Sequence, residues 1–538
     1  MVPSPSRRRK ATANGNVHTA SSSGLEEEGK GHGRSSTHSH RNFLITLGIV
    51  GMTVVVFAGV AVYNMLYYST RGLYRALPRD YFTPAPPATR RSACVDEAQT
   101  TVVRAFEEKN WHVIPLRRKS TDPAFHYRTC YETGSASIIW TKLIPNLWNV
   151  SQPWQRHNQL PFEVFMSKKA STTQALRAYS HQTGRTVNFL PESYVLPADR
   201  KALLKRLTMG TSSLRNGNNG GGDNEPWVVK LSAIDNGIGI AMLGPGSEEM
   251  KLLANILRTA KNDEYMTEIR RQLVFSQKGD TRDAAQVLKA QNRTERTHDR
   301  IIVQRYICGE LDYQGRKFDL RVYFLIASVD PIVVFAHDGY LRVSPHEYNE
   351  GKFDSTGEHL TNLGRTAHNS ENNTISYEQW QVELRKLVAK NPSRYSWSVQ
   401  RNPLQHIRNQ IKSALADLVA ATHKLAMKGY RTHTNMQNGF ALFGGDFIVD
   451  RDLNVWFTEG QDSPGLLHET SMKRQLNDRL LPATVEIIGQ VLDKQSTGQP
   501  LFPMFGMGDF ELIYTADYQY HYDFERSPLV GPCHSRER

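Results

Sequence analysis

Asp446 and Glu459 lie in FALFGGDFIVDRDLNVWFTEGQDSPGL (Phe440 to Leu466), and Glu459 is followed closely by Gln461 and Asp462. Alternating apolar residues run from Phe440 to Val449 and from Leu453 to Phe457, with the charged turn Asp450-Arg451-Asp452 between them, the pattern of a hairpin with one buried face. Folding back at that turn brings the two carboxylates to the same end. Oxygen ligands converging there suit a hard cation such as Mg²⁺, which takes one or two carboxylates and completes its shell with nucleotide phosphates. Taken alone, the same residues also describe the solvated end of a hairpin.

Basic residues that suit phosphate lie upstream. Lys230 ends the short apolar run PWVVK and is followed by Gly237 and Gly239, where the backbone can approach an anion closely. An ordinary turn beside a surface lysine has the same appearance. Lys317, Asp319 and Arg321 alternate in GRKFDLRVYFLIASVDPIVVFAHDGYLRVS (Gly315 to Ser344), so a regular strand puts all three on one face. Such a face meets a ligand, or belongs to an edge strand defended by charge. Its partner strand, beyond a turn at Ser328 to Pro331, ends in Arg342. No Ser-His-Asp or Cys-His arrangement stands out. The four cysteines, Cys94, Cys130, Cys308 and Cys533, are scattered without CxxC or metal-ligand spacing, so neither a zinc site nor a disulfide framework is expected.

These groups need elements to hold them, and the 538 residues have room for a large core and two or three domains. Residues 1–42 are Ser, Gly, Asn, His and Arg with almost nothing apolar, a basic tail that cannot bury enough surface to fold. Phe43 to Tyr63 is then free of charge, long enough to span a bilayer, with Tyr63, Tyr67 and Tyr68 at its interface, so a transmembrane helix is expected over 43–68. Lys30, Arg34 and Arg41 before it balance Arg71, Arg75 and Arg79 after it, and the charges do not fix its orientation. A stalk covers 69–93. The body divides at the flexible NGNNGGGDN (Asn216 to Asn224) into 94–225 and a core over 226–495, leaving a tail at 496–538 without assignment. Helical periodicity marks TTVVRAFEEKNWHVI, Leu404 to Met427 and Arg474 to Lys494, while SASIIWTKLI and NFLPESYVLP read as extended. A formal charge of +13, most of it in the body, favours an acidic partner.

The succession WVVKLSAIDNGIGI, VQRYI, GRKFDLRVYFLIASVDP, DGYLRVS, EHLTN and LFGGDFIVDRDLNVWFTEGQDSP resembles the tubulin tyrosine ligase-like family of amino acid ligases, over roughly Val95 to Lys494. The resemblance implies an α+β, ATP-grasp fold of antiparallel sheets flanked by helices, here preceded by the single transmembrane helix. It implies ATP and Mg²⁺ as cofactors. By position, Lys230 meets the phosphates beneath a loop holding Gly237 and Gly239, and Gln304, Arg305, Tyr306 and Ile307 border adenine. Lys317 and Arg321 face the phosphates and the activated carboxylate, Arg342 and Asn362 line the substrate side, and Asp446, Glu459 and Gln461 hold the metal. Where the family usually reads Glu-Val-Asn, this chain reads Glu459-Gly460-Gln461.

The implied reaction is ATP-dependent addition of glutamate or tyrosine to a protein carboxylate through an acyl phosphate, as in tubulin polyglutamylation. The expected partners are a free amino acid, the tubulin C-terminal tail or another acidic polypeptide, and the lipid bilayer through 43–68, with no nucleic acid. Such an acceptor places the body in the cytosol. Two alternatives stand: a degenerate member that binds nucleotide or tubulin without turnover, and a ligase with a non-tubulin acceptor. Asn149, Asn292 and Asn372 begin N-x-S/T sequons at about the frequency that chance gives.

Overall fold

The computed structural model describes residues 91–119, 123–132, 136–144, 146–147, 151–152, 154–213, 225–232, 239–261, 264–274, 300–353, 359, 361, 371–429, 436–526 and 533. The chain divides into Met1–Leu66 and Tyr67–Arg538, and every described residue belongs to the second unit. The expected tail, membrane helix and most of the stalk therefore lie outside the described residues, as do Gly237 and Asn362. Among the described residues no helix is long and apolar enough to cross a membrane.

Three sheets make up the body. β1 (Ser92–Asp96), β2 (His112–Leu116), β3 (Ile138–Trp140) and β4 (Arg156–His157) pair in the order β2-β1-β3-β4, all parallel. Only antiparallel sheets were expected. The crossover helices α1 (Thr100–Glu108) and α2 (Pro123–Glu132) explain the difference, because a parallel pair needs a connection of this kind. After α3 (Lys169–Thr183), a second sheet of β5 (Ser193–Leu196), β6 (Trp227–Leu231), β7 (Ile240–Leu243) and β8 (Ile301–Arg305) runs antiparallel in the order β5-β8-β6-β7. Its apolar face packs under α4 (Glu248–Thr259), where Trp227, Leu253 and Ile256 share one core.

The third sheet carries the acids. β9 (Asp312–Tyr313), β10 (Arg316–Val329), β11 (Ile332–Glu347), β12 (Thr374–Ser376), β13 (Ala441–Val449), β14 (Val455–Gln461) and β15 (Glu511–Thr515) are all antiparallel, with the order β12-β11-β10-β13-β14 and with β9 on β10 and β15 on β11. β10 is a central strand, which excludes the edge-strand reading of Lys317, Asp319 and Arg321. Their burial at 7% exposure or less says the same. Helices α5 (Pro403–Gly429) and α6 (Ser471–Ser496) flank this sheet, and α6 joins it to the first sheet through Trp111, Trp140, Tyr323, Phe335, Leu480 and Ile487. The C-terminal tail, unassigned from sequence, is part of the fold: β15 pairs with β11, and Lys412 of α5 meets Glu511 at 2.8 Å.

The cysteines also differ from expectation. Cys94 of β1 is bonded to Cys130 of α2, and Cys308 to Cys533. Separations of 36 and 225 residues conceal both pairings from a search for local spacing.

Candidate active site

Register builds the site. Glu459 of β14 lies opposite Asp446 of β13, Asp446 opposite Arg321 of β10, and Arg321 opposite Tyr340 of β11. Residues in one row across a sheet share a face. Asp319, two residues before Arg321, falls on that face and faces Arg342. The hairpin is longer than its alternation suggests. Leu453 takes a positive φ in the turn, so β14 starts at Val455 and runs through Gln461, putting Glu459 inside the strand.

The row is an ion-pair lattice. Arg321 donates to both carboxylate oxygens of Asp446, at 2.5 and 3.1 Å, and Arg342 Nη2 donates to Asp446 Oδ2 at 2.7 Å while also binding Asp319. Burial alone pushes the Asp446 carboxyl up, but the two guanidinium groups outweigh it and hold the group at about 2. Glu459 is balanced in the same way: burial is the largest influence and raises it, but the charge and hydrogen bond of Lys169, with the charge of Arg342, bring the net direction down. Lys169 Nζ sits 2.8 Å from Glu459 Oε2. Both carboxylates are thus anionic, as hard metal ligands must be. Three of the roughly four acceptor positions on Asp446 are filled, which leaves room for a cation. Gln461 donates its amide nitrogen to Glu459 at 2.7 Å, so its oxygen is the atom it offers a metal. This donor set fits Mg²⁺. Among the described residues no three His, Cys, Asp or Glu side chains gather for a metal, so the third position rests on the amide.

A cleft between the second and third sheets gathers the remaining residues. Lys169, Lys230, Gln304, Arg305, Tyr306, Ile307, Lys317, Asp319, Arg342 and Glu459 line it, with Val228, Ile240 and Met242 as an apolar wall. Arg321, Asp446 and Gln461 are not in the lining; the first two stand behind Arg342. Lys230 donates to Gln304 Oε1 at 2.7 Å, and Gln304 Nε2 donates to Ser193 at 2.9 Å. Burial, helped by the charge of Lys169, lowers Lys230 to about 8. Lys317 does not point freely into the cleft. It is buried in an ion pair with Glu310, donates to the Tyr306 hydroxyl at 3.1 Å and lies over the Tyr306 and Tyr348 rings. This contrasts with its expected place on the phosphates. Gly239 has φ +76°, a conformation that strains any other residue, and a Cβ there would press on the Leu231 side chain at 2.8 Å. Beside the undescribed Asn362, His359 and Thr361 reach the cleft wall.

Lys169 is the site residue that sequence reading missed. Its signal was a basic pair at the first turn of a helix, where the dipole disfavours cations. The α3 start is held there because Ala170 N–H donates to Ser232 Oγ at 3.0 Å, just beyond β6. Gly460 belongs to the same arrangement. A Cβ at Gly460 would lie 2.2 Å from the Met166 carbonyl oxygen, so the close crossing of this segment over β14 requires glycine in place of the family's valine.

The family model described as the tubulin-tyrosine ligase family matches residues 149–497. Protein polyglycylase TTLL10 of Macaca fascicularis is 26% identical over 40% of this chain and 34% of its own length. Inactive polyglycylase TTLL10 of Homo sapiens is 26% identical over 44% of this chain and 33% of its own. Tubulin polyglutamylase TTLL6 of Mus musculus is 28% identical over 34% of this chain and 22% of its own. The chain spans about a third or less of the length of these curated relatives.

Proposed function

This chain belongs to the tubulin-tyrosine ligase family, and from that premise we propose that it is an ATP-dependent ligase joining an amino acid to a carboxylate of an acidic polypeptide. The observation that carries the reading is the single cleft in which Lys169, Lys230 and Arg342 face Glu459, with Asp446 bonded to Arg342 behind the wall.

A carboxylate is a weak electrophile, so the reaction needs activation first. A carboxylate oxygen of the acceptor bonds to the γ-phosphorus of ATP as the bond to the bridging oxygen breaks and ADP leaves. The amino acid's amine then attacks the acyl carbon, phosphate departs, and the amine gives up a proton. Positioning and charge neutralisation do most of the work in such transfers. Asp446, Glu459 and the Gln461 oxygen would hold Mg²⁺, which would supply charge neutralisation on the phosphate oxygens. Lys169 and Lys230 bring point charges to the phosphates, and Arg342, its fork held by Asp319 and Asp446, adds positive charge on the same face. Val228, Ile240, Met242 and Tyr306 form the apolar side on which adenine rests. Lys317, held by Glu310, fixes Tyr306 rather than meeting phosphate. Phe43 to Tyr63 anchors the ligase in a membrane.

Glutamate, tyrosine and glycine are the amino acids to test, and the relatives' names point first to the tubulin C-terminal tail as acceptor. That acceptor would put the body in the cytosol. A binding protein without turnover is the second reading, favoured by Gln461 at the third metal position. Measuring ADP release by the purified chain with Mg²⁺, each single amino acid and acidic acceptor peptides decides between them. Release that depends on both amino acid and acceptor supports the ligase; nucleotide binding without release supports the second reading.

A further inference from the structure

All four cysteines of this chain are consumed by two pairings. Cys94 meets Cys130 with Cα atoms 5.8 Å apart, and Cys308 meets Cys533 at 5.0 Å. Both lie inside the roughly 4.4–6.8 Å range that a disulfide spans. No free cysteine remains among the described residues. The pairs are distant in sequence and sit in different parts of the body, so each is an independent observation. Cys94, Cys130 and Cys308 are buried, and Cys308 and Cys533 pack with Val228, Met242 and Tyr306, the apolar wall of the cleft. The second pair therefore ties the extreme C-terminal segment to the nucleotide side of the site.

Stable disulfides belong to oxidising compartments, and cytosolic thiols are kept reduced. The charges flanking Phe43 to Tyr63 are balanced and leave orientation to other features. A second feature agrees with the cysteines: Asn372, which begins the sequon Asn372-Asn373-Thr374, is exposed in the turn before β12. We propose that the body folds on the lumenal side of its membrane, with both disulfides formed and Asn372 carrying an N-linked glycan. The identity of the acceptor rests on the ligase reading. On the lumenal side it is an acidic polypeptide of the secretory route, which takes the place of the tubulin tail that the relatives' names suggest.

The chemistry balances. Each cysteine pair loses two electrons and two protons to the dithiol–disulfide oxidants of that compartment. At Asn372 the amide nitrogen bonds to the anomeric carbon of a lipid-linked oligosaccharide, the lipid pyrophosphate leaves, and the amide loses one proton.

The test uses the full chain with a C-terminal epitope tag, expressed in eukaryotic cells. In sealed microsomes the tagged body should resist added protease until detergent is present. Thiol alkylation at lysis followed by non-reducing peptide mapping should return the Cys94–Cys130 and Cys308–Cys533 linked peptides. Glycosidase should increase the mobility of the chain, and Asn372→Gln should carry one glycan fewer. Digestion of the body in sealed vesicles, or alkylation of all four cysteines, overturns the lumenal placement; an unchanged glycan count in Asn372→Gln overturns the modification site. ADP release by the same purified protein reads the ligase proposal separately, so the two can fail independently.

Discussion

Arg321 and Asp446 are direct partners across β10 and β13, and their side chains meet in a two-bonded ion pair under the cleft floor. Arg342 binds the same carboxylate from β11. One acid therefore pairs with two buried guanidinium groups, sharing Arg342 with Asp319, as well as serving as a proposed metal ligand.

Replacing Asp446 alone should expose that double duty. Asp446→Asn leaves Arg321 and Arg342 facing a neutral amide at a site where the acid is 1% exposed. Breaking one side of a buried pair costs about 3–5 kcal/mol, so urea unfolding should show a loss of that order. Removing Arg321 at the same time should cost less than the two single losses added together, because the uncompensated charge goes with it. ADP release should vanish in both variants.

Glu459→Gln tests the metal without disturbing the arginines. The amide keeps the shape of the side chain, but the ion pair between Lys169 and Glu459 is lost and the cation loses a charge. Loss of even an outer partner of a metal ligand costs about 10–100-fold in affinity. The Mg²⁺ concentration for half-maximal ADP release should rise by at least that factor, and Tm should fall as well, because the largely buried Lys169 ion pair is broken with it.

Lys230 gives the site a pH dependence of known sign. Its folded value of about 8 lies below the ordinary lysine value of 10.5, chiefly through burial, so the free protein loses this charge as pH rises through 8. Phosphate binding favours the protonated form. ATP affinity should therefore not depend on Lys230 titration below pH 8, and should weaken above it by up to about tenfold per pH unit. Lys230→Arg, which stays protonated, should abolish this fall. Calorimetric titration between pH 7 and 9.5 checks both.

The acids were legible because a hairpin writes itself as two alternating runs around a polar turn, and Asp446 stands on one of them. Their direct opposition was not legible, because Leu453 bends into the turn and shifts the start of β14. The charges of Lys317, Asp319 and Arg321 revealed the face they share but not the strand's central place, since each charge is neutralised by a residue outside the strand: Glu310, Arg342 and Asp446. β15 is a five-residue strand whose sheet position depends wholly on β11, and nothing local announces that. Lys169 and the cysteines have partners that only the fold supplies.

Gly460 offers the sharpest separation between sequence likeness and local structure. Gly460→Val restores the family's usual residue, yet its Cβ would stand 2.2 Å from the Met166 carbonyl oxygen. Backbone, unlike a side-chain tip, has no other rotamer to adopt. The segment leading into α3 must move off β14, and it carries Lys169 with it. Overpacking of this kind costs about 1–3 kcal/mol, and the displaced lysine should weaken ATP binding further. Gln461→Asn, the neighbouring reversion, adds no atom and only shortens the reach to Glu459. It should keep both stability and nucleotide affinity. Thermal unfolding and ATP titration of the two variants side by side should therefore show loss in Gly460→Val alone, and equal losses in both would refute the idea that the Met166 crossing is what demands glycine at this position.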